Sequence, residues 1–111
     1  MSAVSIANVL VWGLTAFFLV GAIVNFRCPP SIHDDYTRWG YPAWFHRITG
    51  VLELLAAAFI GFSSTRWAGL ALGVVVMVAA LATVLWHREI TRVGAPAVIL
   101  ALLACTAWAI Y

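Results

Sequence analysis

From Ile6 to Phe26 the chain reads Ile-Ala-Asn-Val-Leu-Val-Trp-Gly-Leu-Thr-Ala-Phe-Phe-Leu-Val-Gly-Ala-Ile-Val-Asn-Phe, with no charged side chain in it. About 20 mostly apolar residues are what a helix needs to cross roughly 30 Å of hydrocarbon. Backbone N–H and C=O groups cannot be left open in lipid, so a segment of this kind is a helix. Three further stretches match it: about 43–62, interrupted by Glu53, about 67–86, and about 93–111. Short connections make successive spans antiparallel. The expected fold is therefore all-α, a four-helix transmembrane bundle of up-and-down topology. It forms a single membrane domain over residues 1–111, with spans at about 6–26, 43–62, 67–86 and 93–111. The connection 27–42 is the only long one.

Composition leads to the same class. Of the 111 residues, 65% are apolar and 9% are charged, against roughly 45–50% and about 25% in soluble domains. Six basic and four acidic side chains cannot coat a water-facing surface. A formal net charge of +2 with no basic run excludes nucleic acid as a partner. The first span carries no Lys or Arg in residues 1–10 and exceeds the roughly 7–15 apolar residues of a signal peptide core. It is expected to be retained.

The span ends are marked chemically. Cys28-Pro29-Pro30 stops the first helix, because the residue before a proline is pushed out of the helical region. Pro42 precedes the second helix and Pro96 falls in the first turn of the fourth, where a missing N–H does no harm. Ser64 or Thr65 is expected to cap the third. Trp39, Tyr41, Trp44, Trp67, Trp86 and Tyr111 are placed at span ends, where amphipathic rings suit the headgroup layer. The chain has no lysine. Arg27, Arg38, Arg47, Arg88 and Arg92 fall on one side and Arg66 on the other. By the positive-inside rule the 27–42 loop is cytoplasmic and both termini lie outside. For a multi-pass protein of this size the expected location is a bacterial inner membrane. Cys28 and Cys105 lie too far apart to pair, and Cys105 is expected as a buried, inert thiol.

Polar groups inside hydrocarbon are expensive, so they are the functional clues. Glu53 sits about ten residues into the second span, roughly 15 Å along its axis. There it needs a partner or takes up a proton. His46 and Gly50 share its face, and Thr49 lies one turn before it. Asn25 closes the first span, and Thr83 and His87 lie one turn apart near the end of the third. If these faces turn inward they form a polar pocket with Glu53 at its floor. The expected ligand-binding set is Asn25, Tyr41, Trp44, His46, Glu53, Thr83 and His87, with Glu53 and His46 as the candidates for proton chemistry. Against this stands a plain packing role for Glu53, and wetting by headgroups for His46 and His87. Haem ligation by that histidine pair is not expected. No metal site is expected either: His33, Asp34 and Asp35 are read as a solvated stretch. Gly69 and Gly73 make a G-x-x-x-G spacing that lets another backbone approach, within the bundle or in a homodimer.

The string Gly40-Tyr41-Pro42-Ala43-Trp44-Phe45, followed by Gly50-Val51-Leu52-Glu53-Leu54, resembles the DoxX-like family of small four-helix membrane proteins. Leu85-Trp86-His87-Arg88-Glu89 and Pro96 continue the resemblance over nearly the whole chain. It implies the four-helix fold. Such proteins take their name from a membrane subunit associated with quinone-linked sulfur oxidation in archaea, and distant metazoan look-alikes act as assembly factors. One departure stands out. Where the family tends to carry Gly-x-x-x-Lys, this chain has Gly21 and Asn25, so Glu53 lacks the basic partner that the resemblance implies.

Two functions follow as expectations. The first is an accessory or quinone- or lipophile-binding subunit of a membrane redox system. In it Glu53 exchanges a proton with the ligand, His46 relays the proton to the cytoplasm, and Tyr41 and Trp44 gate the mouth. The second is a non-enzymatic assembly or structural protein, in which Gly69, Gly73 and the Ala56–Ala58 surface dock a partner helix. A proton or solute carrier is weaker, since neither broken helices nor inverted repeats are visible.

Overall fold

The computed structural model describes residues 3–111. They form five helices: α1 (Ala3–Arg27), α2 (Pro30–Arg38), α3 (Phe45–Gly61), α4 (Arg66–Trp86) and α5 (Gly94–Ile110), with a 3-10 turn at Ile90–Arg92 before α5. There is no strand among the described residues. α1 packs on α3, α3 on α4, α4 on α5, and α5 back on α1, so the four long helices close a ring. The long dimension is 44 Å, close to the roughly 40–45 Å of a bilayer with its headgroups.

Three segments are long and apolar enough to cross a membrane: Val4–Arg27, Arg66–Trp86 and Ile90–Ile110. The second expected span is the exception. α3 holds 17 residues, or about 25 Å, and begins at Phe45, later than the expected boundary at 43. Pro42 and Trp44 lie in a turn instead, whose carbonyls accept the N–H groups of Phe45 and Arg47.

Each long helix buries a single stripe. Val11, Leu14, Phe18, Ala22 and Asn25 form it on α1, and Gly50, Glu53, Ala56, Ala57 and Ile60 on α3. On α5 it is Pro96, Ile99, Leu103 and Thr106. The outward faces are apolar as well, with Val9, Val20, Val75 and Val98 exposed. A helix apolar all round is suited to lipid. There lipid tails match the core in polarity, so close packing holds the helices together. Gly69 shows this directly. A Cβ on it would lie 2.5 Å from the amide nitrogen of Ile60, and one on Gly73 would lie 2.9 Å from the Phe18 ring. The G-x-x-x-G surface is thus filled from within the chain, by α3 and α1.

The connections depart most from expectation. Residues 27–42 contain a whole helix, because Pro29 serves as N-cap and Pro30 as first residue of α2, a position proline favours. α2 ends in a Schellman motif. Gly40 is left-handed (φ 83°), its N–H donates to the Thr37 carbonyl, and that of Tyr41 donates to Tyr36. α4 ends the same way, with N–H bonds from Arg88 to Leu85 and from Glu89 to Val84. Here Arg88 holds the left-handed position (φ 58°) that glycine usually fills where a helix ends this way. Thr65 stands at the N-cap of α4 but makes no cap bond. Its hydroxyl donates to the carbonyls of Phe59 and Phe62, and Arg66 Nε to that of Ile60, so both close the end of α3. Cys105 is exposed on the outer face, because the inward stripe of α5 passes through Leu103 and Thr106.

Candidate functional site

Asn25 and Glu53 inherit their inward direction from the stripes of α1 and α3. Glu53 is 5% exposed and Asn25 9%. Gly21 makes the approach possible. A Cβ there would overlap the Glu53 carboxylate, so one carboxylate oxygen rests on the glycine itself.

The Asn25 amide is fully used. Its Nδ2 donates to Glu53 Oε1 at 2.6 Å and to the Gly21 carbonyl at 2.9 Å, and its Oδ1 accepts the Tyr36 hydroxyl at 2.8 Å. The flipped amide would set its oxygen against two acceptors, so this orientation is fixed by its surroundings. Burial pushes the Tyr36 phenol up, while the neighbouring Thr49 hydroxyl acts the other way. Protons therefore run in one direction, from Tyr36 through Asn25 to Glu53. Such a chain polarises its members cooperatively. Among the described residues Glu53 is the acid without an ion pair: Asp34 lies beside His33, and Asp35 and Glu89 bind arginines.

Above Glu53 lies a cavity of about 390 Å³. Leu52, Val76, Met77 and Val84 form its apolar side, and Tyr36, Trp39, Tyr41 and Phe45 its aromatic side. The rings are mutually packed, with Tyr41 stacked on Phe45 at 4.4 Å and Tyr36 edge-on to both. Thr83 donates to the Ala79 carbonyl, which makes Tyr41 the donor in the 2.6 Å contact between the two hydroxyls.

Of the residues singled out in the sequence, Asn25, Tyr41, Glu53 and Thr83 line this cavity. The other three stand elsewhere. His46 Nδ1 lies 2.7 Å from the Asn25 carbonyl, an acceptor, so that nitrogen carries the proton. The ring supports the backbone behind Asn25 and makes no bond to Glu53, which removes the direct relay expected of it. Trp44 is 56% exposed with its ring beside Phe45, so it does not gate the mouth. His87 is exposed and bonds the Thr83 carbonyl one turn back. Trp39 and Tyr41, expected in a headgroup belt, are drawn into the cavity wall.

Sequence reasoning missed Tyr36 and the clasp that holds α2. Asp35 bridges Arg38 at 3.0 Å and Arg92 at 2.8 Å. Glu89 accepts from Arg38 at 2.7 Å and from the Trp39 indole N–H. The clasp ties α2 to the turn before α5 and keeps Tyr36 over Asn25. The indole N–H above all, with the Arg38 and Arg92 guanidiniums, holds the Glu89 carboxyl below the usual carboxylate range. Its folded form titrates below its unfolded one. The docking is therefore complete above the usual carboxylate value and weakens as pH falls through the lowered one. Fluorescence of Trp39, taken as the difference from Trp39→Phe, is expected to be flat above the usual carboxylate range and to change as pH falls below it. A flat signal over the whole range would remove Glu89 from the clasp.

Compared with known proteins, the chain matches the family model described as the DoxX-like family over residues 9–106. No curated protein and no solved structure gives a match. A match over most of the chain shows the family: this chain belongs to the DoxX-like family. With its three membrane-length apolar helices, it is a small multi-pass membrane protein.

Proposed function

We propose that this member of the DoxX-like family binds a lipophilic small molecule, a quinone or other isoprenoid, as an accessory subunit of a membrane redox system. One observation carries the reading. A cavity with apolar and aromatic walls ends on a buried carboxylate that is oriented by Asn25 and free of any ion pair. Sites for small molecules are of this kind, mostly apolar with a few placed polar groups, and run from roughly 300 to 1,000 Å³. The tail lies along α4, and the polar head meets Glu53.

In this reading α3 is the fourth span. Its roughly 25 Å suffices once Trp44 and Phe62 anchor its ends and the bilayer thins slightly around it. The arginine bias sets α2 and the clasp on the cytoplasmic side of a bacterial inner membrane, with both termini outside.

Mass spectrometry of an organic extract from gently solubilised protein tests the proposal. A quinone or isoprenoid is expected in the wild type, depleted by up to about tenfold in Glu53→Gln, as loss of one hydrogen bond to the ligand implies. Only bulk lipid in both extracts would sink it.

A further inference from the structure

α3 and α4 touch backbone to backbone at Gly69, where an added Cβ would lie 2.5 Å from the Ile60 amide nitrogen. Toward α2 the two helices hold a space between them, and that space is one side of the cavity. Phe45, Thr49 and Leu52 line it from α3, at i, i+4 and i+7, and Val75, Ala79 and Thr83 from α4, at i, i+4 and i+8. Each row runs along one flank of its helix. The α4 row lies off the buried stripe of Gly69, Gly73, Val76 and Met77. Val75 is 62% exposed, and Ala79 is exposed as well. These two side chains belong at once to the cavity wall and to the surface that meets lipid. The gap persists because Ala79 and Ala80, which both line it, reach into it with no more than a methyl group.

At the α2 end the same cleft is bridged. Tyr41 stacks on Phe45 at 4.4 Å, and its hydroxyl lies 2.6 Å from that of Thr83, so one side chain spans both rows. The Asp35–Arg92 ion pair and the Trp39–Glu89 bond stand at that end too.

From this arrangement we infer that the cleft between α3 and α4 is a lateral opening to the bilayer. A membrane-dissolved amphiphile enters it head first, and its tail stays in lipid, leaving between Leu52 and Ala79. The inference rests on the ligand-binding reading above and adds the route and the shape of the ligand. Depth agrees with it. Glu53 is eight residues from the start of α3, about 12 Å, and Ala79 seven from the end of α4, about 10 Å, so floor and opening lie at one level. Size agrees as well. The cavity of about 390 Å³ is near the lower end of the roughly 300–1,000 Å³ of small-molecule sites. It takes a compact ring head and leaves a long tail outside. A tail that remains among lipid tails gives up no apolar surroundings on binding, whereas exit past α2 would draw it through the clasp's charges and into the headgroup layer.

Photolabelling of the full chain in phosphatidylcholine vesicles tests the opening. The probe is a farnesylated benzoquinone with a diazirine midway along its tail, used alone and with unlabelled farnesyl benzoquinone. Peptide mass spectrometry is expected to find label at Leu52, Val75 or Ala79 that falls about tenfold when the unlabelled compound is in about tenfold excess. Label from bulk membrane contact does not compete. Ala79→Phe narrows the opening and is expected to lower the competed label by about tenfold. Ala82→Phe makes the same change at an exposed position outside the cavity and is expected to leave it unchanged. Equal labelling of the two variants overturns the opening as the route. Competed label at Trp39 or Arg92 overturns it too, since the tail would then leave past α2, and so does competed label at buried Leu103. Both of these outcomes leave the ligand-binding reading standing. Absence of competed label anywhere overturns this inference together with the reading on which it rests.

Discussion

Gly69→Leu is expected to cost about 3 kcal/mol or more, the upper end of overpacking penalties. The reason is what the added atoms meet. A Cβ at this position lies 2.5 Å from the Ile60 amide nitrogen and 2.9 Å from the Phe59 carbonyl carbon. Both belong to the backbone of α3, which cannot step aside as a side chain end can. Leucine therefore forces α3 and α4 apart along their whole contact. In lipid no hydrophobic gain compensates, because the surface so exposed is as well solvated by tails as by the core. Gly13 provides the control. Nothing lies within 4 Å of a Cβ there, and alanine removes a glycine from the interior of α1. Gly13→Ala is expected to be neutral or to stabilise by up to about 1 kcal/mol. Chemical unfolding in mild detergent, followed by circular dichroism, separates the two. Equal effects from the two substitutions would mean that α3 and α4 do not meet at Gly69.

The helices were legible because lipid imposes simple rules. Charge-free runs of spanning length gave α1, α4 and α5 to within a few residues. The inward stripes follow from helical spacing, which puts Glu53 in line with Gly50 and Ala57, and Asn25 with Phe18 and Ala22. α2 was hidden by the double meaning of proline. Pro29-Pro30 ends one helix and, by the same fixed φ and missing N–H, starts the next. The spacing of Ile32, Tyr36 and Trp39, at i, i+4 and i+7, is the signal that could have revealed an amphipathic helix with a ring aimed inward. The clasp had no such signal. Asp35 and Arg92 are far apart in sequence, and their pairing depends on how α4 ends. That end was itself obscured, since Arg88 takes a left-handed conformation where a glycine would have announced the turn. His46 is a third case: helical spacing sets it on the face of Glu53, yet its Nδ1–H donates to the Asn25 carbonyl instead.

Asn25→Leu is expected to destabilise the protein by about 3 kcal/mol, from two buried groups orphaned at once. Glu53 Oε1 loses its donor and the Tyr36 hydroxyl loses its acceptor, and leucine supplies neither. Glu53→Leu alone orphans only one Nδ2 proton of Asn25, whose other bond to Gly21 remains, so its cost is smaller, about 1–2 kcal/mol. The double variant Asn25→Leu/Glu53→Leu replaces both partners by apolar groups, which buried sites tolerate far better than a half-removed pair. It is expected to recover at least half of the loss, giving a coupling of about 1.5 kcal/mol or more between the positions. Additive losses would show that the two side chains do not act as a pair. The same double variant separates the two functions open to this protein. If the pair exists to hold α1 against α3, restoring stability restores everything the protein does. If it exists to present a carboxylate to a ligand, the double variant is folded and stable, and no small molecule is extracted with it.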